Sequence, residues 1–402
     1  MKMIGTPNYS ACFLVASLFF LSACSGDSPA EIETVSLENT PETKIQNHTS
    51  TASKNTIKLA LLLDTSNSMD GLIEQAKSQL WKIVNALSEA KKDGEYANIE
   101  IALYEYGNDN LVARNGYVRQ VLPFTSDLDT LSQELFALKT NGGEEYCGEV
   151  IAHSLDELDW AKEREGLQVI IIAGNEPFDQ GETSYQQVCK RATMDGIFIN
   201  TIFCGDITEG KETSWKDGAD IAQGYYGNID MNEATVYIET PYDKQINLLN
   251  ASLNETYIPI GTFGFNKVQA MTAQDENASY YGTANSTERV IVKGKKELYK
   301  NSSWDLVDAS DEKDFDLKKI KTSDLPTAMQ TMTQAEREKY LADKKNKREE
   351  IQAKIKVLAD KRAKYIIEKQ GEMDGNSSLE NAIIGAIKEQ ARKKMFLFGD
   401  EV

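Results

Sequence analysis

Ile57-Lys58-Leu59-Ala60-Leu61-Leu62-Leu63-Asp64-Thr65-Ser66-Asn67-Ser68-Met69 decides the fold of this chain. Seven residues of nearly unbroken apolar character end abruptly at an aspartate, the pattern of a parallel strand buried on both faces. A polar loop follows, and then Leu72, Ala76, Leu80, Ile83, Val84 and Leu87 recur at helical spacing until Lys91-Lys92-Asp93-Gly94 breaks the pattern. Strand, polar loop and amphipathic helix in that order make the loop a candidate ligand site, because ligands of open α/β sheets collect at the carboxyl ends of the strands.

The alternation continues outward. Ile99-Glu100-Ile101-Ala102-Leu103-Tyr104 is strand-like, 117–122 offers another strand, and 128–138 a helix. After Gly142-Gly143, 150–160 carries helical spacing, and Gln168-Val169-Ile170-Ile171-Ile172-Ala173 is the most strand-like run in the chain. A helix over 184–194 stops at Asp195-Gly196 before the strand 197–204, and 215–222 and 242–253 supply closing helices. Strands alternating with helices predict an α/β fold, a doubly wound and mostly parallel sheet covered on both faces, over 56–255. From 256 to 325 the pieces 257–265 and Arg289-Val290-Ile291-Val292 predict a small β extension. The remainder, 326–402, is a charged C-terminal α-helical region. Over 334–369 Tyr340, Ile351, Ile355, Leu358, Tyr365 and Ile366 form a narrow apolar stripe, with 371–378 as a turn and 379–396 as a return helix. The stripe fits a helical hairpin, a coiled-coil arm, or a helix packed on its own domain.

The first 23 residues combine Lys2 with an apolar run around 12–21, too short for a membrane span, and read as an export signal. The run ends Leu21-Ser22-Ala23-Cys24, which resembles the lipobox of bacterial lipoproteins; the resemblance implies acylation of Cys24, palmitate included, and a membrane anchor. Residues 25–55 are polar and without periodicity, so 24–55 is a lipidated cysteine followed by a tether. Ser25 avoids the aspartate that resembles an inner-membrane retention signal, which favours the outer membrane, at its periplasmic leaflet or the cell surface. The formal charge of −19, from 63 acidic against 44 basic residues, repels phosphate backbones and excludes nucleic acid as an expected partner.

Asp64, Ser66 and Ser68 are one carboxylate and two hydroxyls on a tight loop, hard oxygen donors suited to Mg²⁺, with Mn²⁺ or Ca²⁺ as further possibilities. Through Leu61-Leu62-Leu63-Asp64-Thr65-Ser66-Asn67-Ser68-Met69 and the strand order after it, the chain resembles the von Willebrand factor type A family over 56–255. The resemblance implies a metal-ion-dependent adhesion site. In it two serines bind the cation, the first Asp acts through water, and an open position accepts an acidic group of a protein ligand. The family's second loop carries a Thr after glycine; here Asn141-Gly142-Gly143-Glu144-Glu145 puts a carboxylate there, Glu144 first and Glu145 second. Its third loop carries Thr-Asp-Gly; here Ala173-Gly174-Asn175-Glu176 leaves Glu176 to reach back, or Asn175 to offer its carbonyl oxygen. Asp70 and Asp179 read as solvated surface residues.

With Cys12 removed and Cys24 acylated, Cys147, Cys189 and Cys204 remain in a compartment where disulfides persist. Cys204 ends a strand on the side of the loop carrying Cys147, favouring a Cys147–Cys204 bridge, with Cys189–Cys204 as the rival pairing. An enzyme would have to pair Cys147 with His153, which lie six residues apart and on different faces of a helix; Trp160, Trp215, Tyr225, Tyr226 and Trp304 read as core before they read as a sugar platform. The expected activity is therefore binding and not turnover. A metal-free scaffold acting through the helical arm and an envelope hydrolase are the rivals.

Overall fold

The computed structural model describes residues 54–161, 165–229, 238–370 and 379–398. The expected export signal, Cys24, the expected tether to residue 53 and the expected turn at 371–378 lie outside the described residues.

The first run is strand β1 (Thr56–Asp64), all nine residues of which are buried. Helix α1 (Asp70–Leu87) leads to two short strands, β2 (Ala90–Lys92) and β3 (Glu95–Tyr96), and then to β4 (Asn98–Tyr106) and β5 (Val118–Thr125). Helices α2 (Leu128–Ala137) and α3 (Cys147–Glu157) precede β6 (Leu167–Gly174); α4 (Tyr185–Asp195) precedes β7 (Phe198–Cys204). Short helices α5 (Ile207–Glu212) and α6 (Trp215–Ile221) precede β8 (Tyr226–Ile229). The six long strands form one sheet in the order β5-β4-β1-β6-β7-β8, parallel throughout except for β5 at the edge. The doubly wound α/β expectation is met.

Alternation along β1 divides the core. Leu59, Leu61 and Leu63 join α1 residues such as Leu72, Leu80 and Trp81 on one face, while Ala60 and Leu62 join Val150, Ile151, Val188 and Trp215 of α3, α4 and α6 on the other. Each buried leucine contributes roughly 1.5–3 kcal/mol relative to exposure, so sliding β1 by one residue would misplace its whole set.

The expected β extension over 256–325 is corrected: the segment is helical. After α7 (Asp243–Asn254), 257–265 contributes a single antiparallel bridge, Pro259 to Asp305, before α8 (Gly261–Tyr280) begins. Arg289-Val290-Ile291-Val292 lies inside α9 (Thr283–Lys293). β-Branched residues misled the reading, and tertiary charge pairing decides against a strand. Arg289 Nε and Lys293 Nζ both reach Asp275 of α8, at 3.0 and 2.8 Å. One helical turn brings positions four apart onto one carboxylate, whereas a strand would hold them about 13 Å apart.

The C-terminal region continues through α10 (Leu306–Ala309), α11 (Thr327–Gln330), the 37-residue α12 (Gln334–Gln370), α13 (Leu379–Lys393) and β9 (Leu397–Phe398). Of the three readings left open for this region, the helix packed on its own domain is the one found among the described residues. α12 packs on α7, α9 and α10, burying Ile351 and Ile355, and α13 lies on the sheet against α1, β6, β7 and β8. Gln390 of α13 exchanges two amide hydrogen bonds with Asn200 of β7, at 3.1 and 2.5 Å, in a fully buried pair. β9 then pairs with β2, closing a three-stranded sheet β3-β2-β9.

The expected Cys147–Cys204 disulfide is also corrected. Cys147, Cys189 and Cys204 are free and buried. Cys147 and Cys189 belong to the core on the α3–α4 side, whereas Cys204 belongs to the core on the α1 side, so the sheet itself separates Cys204 from both proposed partners.

Candidate metal centre

Asp64 is the last residue of β1 and is fully buried. Its Oδ1 accepts a hydrogen bond from the Ser66 amide at 2.7 Å, folding the loop back on the strand end as short acidic side chains do in turns. Ser66 is extended, and a single 3₁₀ turn, Asn67–Met69, follows, closed by the Met69 amide on the Ser66 carbonyl at 3.0 Å. Met69 is buried and pins the turn, while Asn67 and Ser68 stay exposed. The result presents the Ser66 and Ser68 hydroxyls side by side, 3.1 Å apart.

Neighbouring loops are stitched to this one. The Thr65 amide donates to the Tyr106 carbonyl at 2.9 Å, and the Asn141 amide to the Thr65 carbonyl at 3.0 Å. Asn108, nearly fully buried, donates to the carbonyls of Thr65 and Lys139, at 3.3 and 2.9 Å. Reading the sequence missed Asn108; the signal was Gly107-Asn108-Asp109 directly after a strand. Loop two approaches closely at Gly143, where a Cβ would fall 2.4 Å from the Gly107 carbonyl oxygen. Gly143→Ala is expected to cost about 1–3 kcal/mol by overpacking, read as a lower thermal midpoint; an unchanged midpoint would refute this loop contact.

That contact determines which glutamate enters. Glu145 is buried over Gly107, with the Ser66 hydroxyl within hydrogen-bonding reach, while Glu144 is exposed. Of the two loop-two candidates, the second, Glu145, is the one turned inward, and the first, Glu144, faces solvent. On loop three Asn175 Oδ1 accepts from the Ser68 hydroxyl at 3.3 Å, and the Glu176 carboxylate lies near enough to act electrostatically on both Asp64 and Glu145. Gly174 has a positive reason here. A Cβ at that position would meet the Tyr106 hydroxyl at 2.5 Å and Asp64 Oδ2 at 3.0 Å, so any larger residue there would collide with the loop-one aspartate.

The electrostatics follow from that crowding. Burial pushes the Asp64 carboxyl up to about 8, against the pull of the Ser66 hydrogen bonds, with Glu145 and Glu176 raising it further. Burial likewise pushes Glu145 up to about 7, aided by Glu176 and Glu144. Asp64 Oδ2 is buried with no hydrogen-bond partner. Three carboxylates thus converge on two hydroxyls and an amide oxygen. Among the described residues no three carboxylate, thiol or imidazole groups could hold a metal ion by themselves, so a cation here depends on the serine hydroxyls. A buried, partnerless carboxylate oxygen amid hard oxygen donors fits a divalent cation, and the residues that could hold one are Asp64, Ser66, Ser68, Glu145 and Glu176, with Asn175 beside them.

The remaining candidates do not join this site. Asp70 accepts from Thr140 and Asp179 is exposed. The Cys147 thiol is buried 3.7 Å from the Tyr106 hydroxyl, and burial pushes it far up, while His153 lies between Glu157, at 2.6 Å, and Glu149 on the flank of α3. Trp215 and Trp304 are core residues.

Comparison with known proteins gives a match of residues 58–216 to the family described as von Willebrand factor type A domain. Similar solved structures include the conserved hypothetical protein BatB from Bacteroides thetaiotaomicron, 17% identical over 43% of this chain and 90% of that one, with a TM-score of 0.34. The SpRpn10 VWA domain is 15% identical over 44% and 90%, with a TM-score of 0.35. Proximal thread matrix protein 1 from the mussel byssus, with a zinc-occupied MIDAS motif, is 14% identical over 43% of this chain and 41% of its own, with a TM-score of 0.33. This chain spans under half the length of that mussel protein. No curated protein matches the chain.

Proposed function

With residues 58–216 a von Willebrand factor type A domain, we propose that this chain is a lipid-anchored cell-envelope protein that binds a protein ligand through a divalent cation. The observation that carries the reading is Asp64 Oδ2, buried without a partner among carboxylates that repel one another. Such a group is stabilised by a cation far more than by a neutral donor. When bound, the cation supplies positive charge and a coordination position for an acidic oxygen of the partner, with Mg²⁺ the best match to the donors and Mn²⁺ or Ca²⁺ alternatives. The chain's own residues do the rest. Asp64 and Ser66 form the buried wall, Glu145 and Glu176 balance charge, and exposed Ser68 marks the opening to solvent.

Binding without turnover is the reading, since the Cys147 thiol is sealed in the core and His153 is engaged with glutamates. The anchor at Cys24 and an outer-membrane location rest on the lipobox-like Leu21-Ser22-Ala23-Cys24 and on Ser25. The charge of −19 argues against nucleic acid as a partner.

Calorimetric titration of the chelator-stripped protein with Mg²⁺, Mn²⁺ and Ca²⁺ tests the site. Saturable binding is expected, and its loss in Ser66→Ala/Ser68→Ala. No saturable heat at millimolar cation would sink the mechanism.

A further inference from the structure

The pole of the sheet remote from Asp64 carries a second feature. β1 runs nine residues, so its start lies about 26 Å from the metal centre. At that start a pocket of about 320 Å³ is lined by Lys54, Lys92, Lys393 and Lys394, together with Met395. Asp93 and Glu165 also line it; Lys54 pairs with Asp93 at 2.6 Å, and Lys92 Nζ donates to the Glu165 carbonyl. Lys393 also pairs with Glu389 at 3.3 Å, so four lysines meet three carboxylates at this pole of a chain whose formal charge is −19.

Apolar side chains flank the lysines. In the small sheet Lys91 pairs with Tyr96 on one side and Leu397 on the other, so Tyr96, Lys91 and Leu397 form one cross-strand row. Tyr96 and Leu397 are each 43% exposed, and Met395, held at a φ of 63°, is 71% exposed. Lysine heads among an exposed tyrosine, leucine and methionine match the interfacial layer of a bilayer, where ammonium groups meet phosphates and apolar side chains sink below them. The covalent path from Cys24 enters the described fold at Lys54, in this same pocket.

We propose that this pole, built from Lys54, Lys91, Lys393, Lys394, Tyr96 and the Met395–Leu397 edge, docks on an anionic phospholipid surface and turns the metal centre away from the membrane. The acidic remainder of the surface is repelled by the same lipids, which reinforces that orientation. The proposal deepens the envelope-anchor reading, yet the surface can be tested without the acyl group.

The experiment is cosedimentation of the mature chain, residues 24–402 carrying Cys24→Ser, with vesicles of phosphatidylglycerol and phosphatidylethanolamine in equal parts, and with phosphatidylcholine vesicles. Binding to the anionic vesicles at low salt is expected, at least about tenfold weaker at molar salt, where charges are screened. Lys91→Glu/Lys393→Glu/Lys394→Glu should weaken it at least about tenfold and Met395→Ser/Leu397→Ser about threefold, by the removal of surface charge and apolar insertion respectively. Circular dichroism confirms that each variant is folded; if the charge variant is not, the apolar variant decides. No binding to anionic vesicles at low salt, equal binding to phosphatidylcholine, or equal binding by wild type and the folded variants overturns the proposal. Acylation of Cys24, read from the intact mass of protein extracted from membranes, tests the anchor separately.

Discussion

Asp64→Asn should make the cation-free protein more stable at pH 8 while abolishing its stabilisation by Mg²⁺. A carboxyl whose folded value is about 8 keeps its proton in the folded chain across a range in which the unfolded chain has released it. Its contribution to stability is complete below the unfolded value, near 4, and is lost as pH rises through the folded value, near 8. At about 1.4 kcal/mol for each pH unit over which the two states differ, ionised Asp64 would destabilise the cation-free fold by roughly 5 kcal/mol at pH 8. Asparagine keeps the acceptor for the Ser66 amide and removes the charge. An unpaired amide group offsets about 1–2 kcal/mol of the gain, leaving roughly 3–4 kcal/mol at pH 8 and little below pH 4.

A bound cation is expected to reverse the wild-type trend. Because its ligands must lose their protons, its stabilising effect should grow as pH rises through 7 and 8, the values of Glu145 and Asp64. Thermal midpoints of both proteins, with and without Mg²⁺ from pH 5 to 8.5, measure all of this. A cation-free variant no more stable than wild type at pH 8 would mean that Asp64 is already ionised and satisfied.

Arg348→Ala should cost about 3–5 kcal/mol, read as a lower urea midpoint. Arg348 is buried on α12, with its guanidinium 2.6 Å from Asp305, 2.8 Å from Asp308 and hydrogen bonded to both the hydroxyl and the carbonyl of Thr256. It also stacks over the Tyr257 ring at 4.1 Å. Truncation leaves two buried carboxylates without their cation, and lysine cannot restore the forked geometry, so Arg348→Lys should recover little. Lys354→Ala on the same helix is the contrast. Its partner Glu350 is exposed, and the loss should stay within about 0.5 kcal/mol. Were α12 a projecting arm, both changes would be equally mild. Arg362, held by Asp243 at 2.7 Å and by Glu288 at 2.5 Å, makes a second clamp one third of the helix further on.

These clamps mark where reading the chain stopped being sufficient. The narrow apolar stripe of α12 left a hairpin, a coiled-coil arm and a helix packed on its own domain open, because nothing beside Arg348 or Arg362 in the chain shows that either is buried. Their partners lie 40 to 119 residues away, and no local pattern shows that pairing. The same holds for α9, whose β-branched residues resembled a strand until Asp275 supplied a reason for helical spacing. For the cysteines, spacing located the strand ends but not the faces of the sheet. At the candidate metal centre, spacing ranked Glu144 ahead of Glu145, and only the close approach of Gly143 to Gly107 shows Glu145 turned inward.

What the sequence determined by itself was whatever depends on short-range periodicity. The buried strand ending at Asp64, the alternation of strands and helices, and the loop bearing Ser66 and Ser68 all follow from apolar spacing and polar interruption within a few residues. What only the tertiary structure decided were the contacts that span the chain: the identity of the inward glutamate, the separation of the thiols, the burial of α12 and the return of α13 to the sheet. Free energy there comes from desolvating charges against distant partners, and that term has no signature in the residues beside it.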